Sequence, residues 1–249
     1  MIKKLLLSSL LLTGSLYAGT INIAVAANVS YAIEELKLAF NKLHPDTKVN
    51  VTLGSSGKLT AQIKNGAPYQ LFMAANMKYP ESLYADGIAV TRPLVYAQGS
   101  LAYFGNKEYD FSKGMKLIQD QKIKKIAVAN PKTAPYGKAA IEAITNAKMY
   151  ESVESKFVYA ESISQTVSYA VTAADIGFIA KSSLFSATMK KYKEGINWTD
   201  VDPKLYTPIN QGIVILENAE ANNEVAAFYA FMLSPKAKKI LNDYGYLVP

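Results

Sequence analysis

The 249-residue chain contains no cysteine, one histidine (His44) and one arginine (Arg92). Each scarcity removes a class of chemistry. Without cysteine there is no disulfide framework, no thiolate zinc site and no thiol nucleophile. One histidine rules out a two-histidine metal site and a histidine proton relay. One arginine among 27 basic residues leaves few of the bidentate and stacked contacts on which nucleic-acid readers depend, so no nucleic-acid partner is expected. Long apolar runs are also scarce. The one at residues 5–16 spans about 12 residues, well short of the roughly 20 that cross a bilayer.

That run follows Lys3 and Lys4 and ends at Leu16-Tyr17-Ala18, a small-residue site suited to signal peptidase. Residues 1–18 are therefore expected to be a signal peptide cleaved after Ala18, giving an exported, periplasmic protein. With no cysteine to carry a lipid, no lipoprotein anchor is expected. Half of the chain is hydrophobic and 19% is charged, which suits a globular protein of one large or two small domains. A net charge of +7, carried almost wholly by lysine, favours anionic partners.

Strand and helix patterns alternate along the chain. Residues 20–27, 48–53 and 70–75 are rich in branched apolar residues and read as strands. Helical periods are expected over 31–43, 58–64 and 78–85. Residues 94–104 form a long extended segment. The alternation then restarts, with strands at 125–129, 156–160 and 175–180 and helices at 138–150 and 165–174. Residues 190–197 are too polar to assign. A strand at 207–216 and helices over 222–245 close the chain. Such alternation predicts parallel α/β sheets. Its restart near residue 100 predicts two lobes, 19–98 with 210–249 and 99–209, joined by strands.

Four strand ends run through small or polar residues into a helix: Asn28-Val29-Ser30, Gly54-Ser55-Ser56-Gly57, Ala134-Pro135-Tyr136-Gly137 and Ser162-Ile163-Ser164. Ligands of open α/β sheets bind beyond such ends. Unpaired N–H groups there make an anion site without a formal cation. Taken singly, a Ser or Asn before a helix is an ordinary N-cap; four together favour a cage. The Asn28 amide and the Ser55 and Ser56 hydroxyls would add donors. Glu161 stands beside this cage, and a carboxylate inside it would favour a protonated ion. Tyr136 reads either as a packed loop aromatic or as a backbone donor or lid. His44 reads as a helix-terminal cation, Trp198 as a surface-loop filler, and Arg92 as a surface contact. Neither a nucleophile elbow nor Walker spacing is present.

These turns resemble those of the periplasmic molybdate-binding proteins of ABC importers. Gly54-Ser-Ser-Gly-Lys-Leu59 with Gln62-Ile63 and Asn65-Gly-Ala-Pro68 is the most specific part. Leu71-Phe-Met-Ala-Ala75, Asn130-Pro131, Ala134-Pro-Tyr-Gly137, Glu161-Ser-Ile-Ser164 and Tyr244-Gly245 also match. The resemblance implies a two-lobe periplasmic binding protein fold of type II, each lobe a mixed, mostly parallel sheet flanked by helices. It implies an oxyanion, molybdate or tungstate, held through its oxygens by Asn28, Ser55, Ser56, Tyr136 and Ile163, with no direct metal ligand, no cofactor and no enzymatic activity. It further implies a monomer that delivers its ion to a membrane permease. The chain departs from the pattern at Asn28, where many members have Ser, and at Ala180, where some have a ligand-contacting Tyr. Two other classes compete. A sulfate, phosphate or organic-solute receptor of the same fold would need a different cavity or a carboxylate-pairing arginine. A secreted hydrolase using Ser55 or Ser56 has only His44 for a base.

Overall fold

The computed structural model describes residues 19–249; the expected signal peptide, 1–18, lies outside the described residues. Two five-stranded sheets carry the fold. The first opens with β1 (Thr20–Ala26), followed by α1 (Ile33–Asn41), β2 (Lys48–Gly54), α2 (Ser56–Lys64), β3 (Leu71–Met73), α3 (Lys78–Ala85) and β4 (Leu94–Gly99). The second takes β5 (Leu101–Phe104), β6 (Ile126–Ala129), α4 (Pro135–Asn146), α5 (Tyr150–Val153), β7 (Phe157–Ala160), α6 (Ile163–Thr172), β8 (Ile176–Ala180) and β9 (Trp198–Asp200). The chain then returns to the first sheet through β10 (Ile209–Ile215) and ends in α7 (Asn223–Met232) and α8 (Pro235–Asp243).

The strand orders are β2-β1-β3-β10-β4 and β7-β6-β8-β5-β9. Both sheets are mixed. Within the first, β1 pairs parallel with β2 and β3, while β10 runs antiparallel to β3 and β4. Within the second, β6 pairs parallel with β7 and β8, while β5 runs antiparallel to β8 and β9. Parallel pairing is confined to β2-β1-β3 and β7-β6-β8, where each strand follows the last through a helix, as parallel crossovers require.

Each sheet's core follows from its sequence. β1 buries Ile21, Ile23 and Val25 against Leu36 and Phe40 of α1. Phe40 also meets Phe228 of α7 edge-on, with ring centroids 5.0 Å apart. A fully buried side chain of this size contributes about 1.5–3 kcal/mol. The second sheet buries Ile126, Val128, Ile176 and Phe178 against Ala139, Ala140 and Ala143 of α4. The alanines let that helix lie close to the strands.

Several expectations differ in detail. The extended segment 94–104 is two strands, and they belong to different sheets. The helix expected from Tyr31 starts as a 3-10 turn over Ala27–Tyr31, and α1 proper begins at Ile33. Leu43, expected on the apolar face of α1, is 65% exposed because the helix has already ended. The polar stretch 190–197 is a turn closed by a bridge between Glu194 and Trp198. Trp198 lies on an edge strand, with Lys181 Nζ 5.8 Å from its ring. Residues 111–119, left without an element in the sequence reading, form a 3-10 segment kinked at Gly114 (φ 56°).

The crossing from the first sheet to the second runs through Gly99, and glycine is required there. A Cβ would fall 1.9 Å from the Tyr136 hydroxyl and 2.7 Å from Gln211 Nε2. Both neighbours are fully buried, so neither has room to give. Gly99→Ala should destabilise the protein by about 1–3 kcal/mol, the usual range for overpacking; urea unfolding followed by circular dichroism measures it.

Candidate functional site

The first turns of α2, α4 and α6 meet between the sheets. Each leaves its opening N–H groups without a helical carbonyl partner. The way each turn is capped separates structural serines from free ones. Ser162, at the N-cap of α6, accepts a hydrogen bond from the Gln165 N–H at 3.3 Å and is an ordinary cap. Ser55, at the N-cap of α2, makes no such bond. Its Oγ is buried and has no partner among the described residues. Ser56 Oγ accepts from the Ala75 N–H at 2.9 Å, which fixes the oxygen and leaves its proton free to donate. At α4 the N-cap is Ala134, which has no side chain to cap with, and Pro135 takes the first helical position. The Tyr136 N–H is thus presented without a competing acceptor. A Cβ on Gly137 would fall 2.0 Å from the Ala129 carbonyl oxygen, so this glycine seats the helix end directly on β6.

These turns line one small cavity. Its walls are Ala26, Ala27, Asn28, Gly54, Ser55, Ser56, Ala75, Ala134, Pro135, Tyr136 and Ile163. All five residues expected from the sequence lie on it, Asn28 and the two serines from the first lobe, Tyr136 and Ile163 from the second. The alanine walls went unnoticed in the sequence because a small apolar residue carries no chemical signal. The pairs Ala26-Ala27 and Ala74-Ala75 at strand ends were the available clue. The space inside it is about 10 Å³, far below the roughly 300 Å³ at which pockets for larger organic ligands begin. Among the described residues no charged side chain lines it.

Asn28 requires a correction. Its amide was expected to donate into the cage. Instead Nδ2 donates to Gln211 Oε1 at 2.9 Å and to the Tyr246 hydroxyl at 3.0 Å. Both amide hydrogens are spent inside the protein, and Oδ1 is buried without a partner. The reason is Gln211, a fully buried polar residue of β10 whose place beside Asn28 depends on pairing between distant strands. Tyr136 also has a second role. Its ring is buried, and its hydroxyl accepts from Gln211 Nε2 at 3.2 Å. Burial holds the Tyr136 and Tyr96 phenols far above their ordinary value and that of Tyr246 at about 12. All three are neutral near pH 7.

Glu161 is outside the cavity. It is exposed and pairs with Lys58 across the mouth. Other contacts also join the lobes over the cavity. The Gly57 N–H donates to the Thr133 carbonyl at 2.9 Å, and Ser182 Oγ donates to the Asn28 carbonyl at 3.1 Å. The lobes are therefore closed on each other. His44 stacks on Phe40 at 4.5 Å, away from the cavity. Arg92 is exposed and lines no part of it. Ala180 is wholly buried in the core of the second lobe.

A family model described as bacterial extracellular solute-binding protein matches residues 21–247. The molybdate-binding protein ModA of Azotobacter vinelandii is 34% identical over 241 residues, covering 95% of this chain and 93% of that protein. ModA of Rhodobacter capsulatus is also 34% identical, over 92% of this chain and 89% of that one. Among solved structures, the periplasmic molybdate-binding protein of A. vinelandii superposes with a TM-score of 0.84 at 31% identity, over 92% of this chain and 99% of that one.

The two kinds of serine should respond oppositely to removal. Ser162→Ala deletes a cap and should cost about 0.5–2 kcal/mol of stability. Ser55→Ala deletes an unsatisfied buried oxygen and should leave the stability of the ligand-free protein unchanged or raised. Thermal unfolding of the two variants beside the parent checks the pair.

Proposed function

The chain belongs to the bacterial extracellular solute-binding protein family, and from that premise we propose that it captures molybdate or tungstate between its lobes and delivers it to the permease of an ABC importer. It acts in the periplasm after removal of residues 1–18, as a monomer, without cofactor and without catalysing a reaction.

The carrying observation is the chemistry of the cavity wall. Three helix N-termini and two serine hydroxyls converge on it, and the Ser55 Oγ has no partner among the described residues. Neutral donors alone suit a fully deprotonated dianion, which accepts at every oxygen. The macrodipoles of α2, α4 and α6 add favourable potential at the same point. A protonated phosphate would place its O–H against the cage, and the one carboxylate nearby, Glu161, is tied up with Lys58 outside. An organic acid would look for a guanidinium, and Arg92 is not there. A hydrolase would need a base beside Ser55 or Ser56, and His44 packs elsewhere.

Sulfate shares the charge and shape of molybdate, so size must discriminate between them. The kinship to molybdate-binding proteins over more than nine-tenths of the chain supports the larger ion. The binding residues carried into this reading are Asn28, Ser55, Ser56, Tyr136 and Ile163. Asn28 and Ile163 contribute at the level of the backbone and Tyr136 through its N–H, while the serines add hydroxyls.

Isothermal titration of the chain from Gly19 with molybdate, tungstate, sulfate and phosphate tests the reading. Molybdate and tungstate should bind tightly, with sulfate and phosphate silent; binding of sulfate or phosphate in their place would overturn the choice of ion. Ser56→Ala removes one donor to a charged acceptor. It should weaken molybdate binding by about 1–3 kcal/mol, a roughly 5- to 150-fold rise in Kd.

A further inference from the structure

The lobes come into backbone contact where α2 begins. The Gly57 N–H, one of the opening donors of that helix, is taken by the Thr133 carbonyl of the second lobe at 2.9 Å. A Cβ on Gly57 would fall 2.9 Å from Thr133 Cα, 3.1 Å from Thr133 Cβ and 2.8 Å from the Tyr79 hydroxyl. Gly57 is not among the residues with positive φ. It is an ordinary helical residue, and in a helix alanine is the better former. The glycine therefore serves the approach of the lobes, not the conformation of its own segment.

Neither wall of this contact is free to retreat. The first turn of α2 is tied to the end of β3, since Ser56 Oγ accepts from the Ala75 N–H at 2.9 Å. Thr133 sits in a turn in which its own N–H and that of Ala134 both donate to the Asn130 carbonyl, at 3.2 and 2.8 Å. The Asn130 N–H in turn donates to the Ala160 carbonyl at the end of β7, at 2.7 Å. Only the Tyr79 hydroxyl ends a movable side chain, and it reaches across to the Lys132 and Thr133 carbonyls at 3.5 Å. An added methyl group is thus relieved by parting the lobes. The Lys58–Glu161 pair at the same rim is exposed, so salt screens it and it sets no fixed distance. The contact adjoins the cage, since Gly57 follows Ser56 and Thr133 stands three residues before Tyr136. Every residue lining the cavity except Gly54 is buried, so an ion enters when the lobes part and is held when this contact re-forms.

We propose that Gly57 is a positioning residue for oxyanion capture: lacking a Cβ, it lets α2 close onto Thr133 and so sets the separation between the Ser55 and Ser56 donors of the first lobe and the Tyr136 N–H of the second. This rests on the oxyanion reading above and assigns that site a steric stop. Carbon atoms in ordinary contact lie about 3.5–4.0 Å apart, so a Cβ at this position holds the rim open by roughly half an ångström or more. Hydrogen bonds to a charged oxygen are best at about 2.7–2.9 Å. An ion bonded to one lobe then loses the other.

The chain has no cysteine, so labels can be placed at chosen sites. Spin labels introduced through Lys64→Cys on α2 and Thr145→Cys on α4, both exposed, report the separation of the lobes by pulsed electron paramagnetic resonance. The chain from Gly19 is measured with and without sodium molybdate, beside isothermal titration and thermal unfolding of the unlabelled protein. Gly57→Ala should leave the unfolding of the ligand-free protein unchanged or raised. It should weaken molybdate binding tenfold or more, and at saturation its label distance should exceed that of the saturated parent. A merely structural glycine would not move that distance. Parent-like affinity or a parent-like saturated distance in Gly57→Ala would overturn the proposal and leave the oxyanion reading standing. So would a ligand-free Gly57→Ala that unfolds earlier than the parent or fails to fold, because the glycine would then serve the first lobe alone. A parent that does not bind molybdate would overturn both.

Discussion

The organising constraint is that the first N–H groups of a helix have no carbonyl within it to bond. Proteins usually satisfy them with a side chain or with water. Here α2 and α4 begin without a side-chain cap and α6 keeps one. The Gly57 N–H is taken by the Thr133 carbonyl; the neutral donors that remain at these starts border one cavity. Everything around them keeps that vacancy free of protein groups. Alanines line the walls, Pro135 occupies the position whose N–H would be surplus, and Gly137 brings the α4 terminus against β6. Formal charge stays at the rim, where the Lys58–Glu161 pair is exposed and contributes little to stability.

Closure needs a second device, because a cage split between two lobes exists only when they meet. The lobes are joined by the Gly99–Ser100 crossing and by the return into β10. Beneath that junction lies a polar core of Asn28, Tyr96, Tyr136, Gln211 and Tyr246. Buried polar groups are costly unless satisfied, and a nearly complete network specifies one arrangement more sharply than apolar packing does. Its members are neutral. The junction behind the cavity is therefore held by neutral groups, with no buried charge to desolvate among these residues.

Much of this was legible in the sequence. The branched runs at 20–26 and 126–129 announced strands, and the small-polar turns at 54–57 and 134–137 announced helix entries. Local pattern sufficed there because each signal lies within a few residues. The cavity lining was legible in part for the same reason: Ser55, Ser56, Tyr136 and Ile163 each sit at a helix start. What failed to show depended on distant pairing. Residues 94–104 look like one strand because nothing local marks where a strand changes sheets except Gly99, whose necessity comes from Tyr136 and Gln211. Asn28 looks like a donor because its type is a donor. Only the approach of Gln211, 183 positions later in the chain, shows where its hydrogens go.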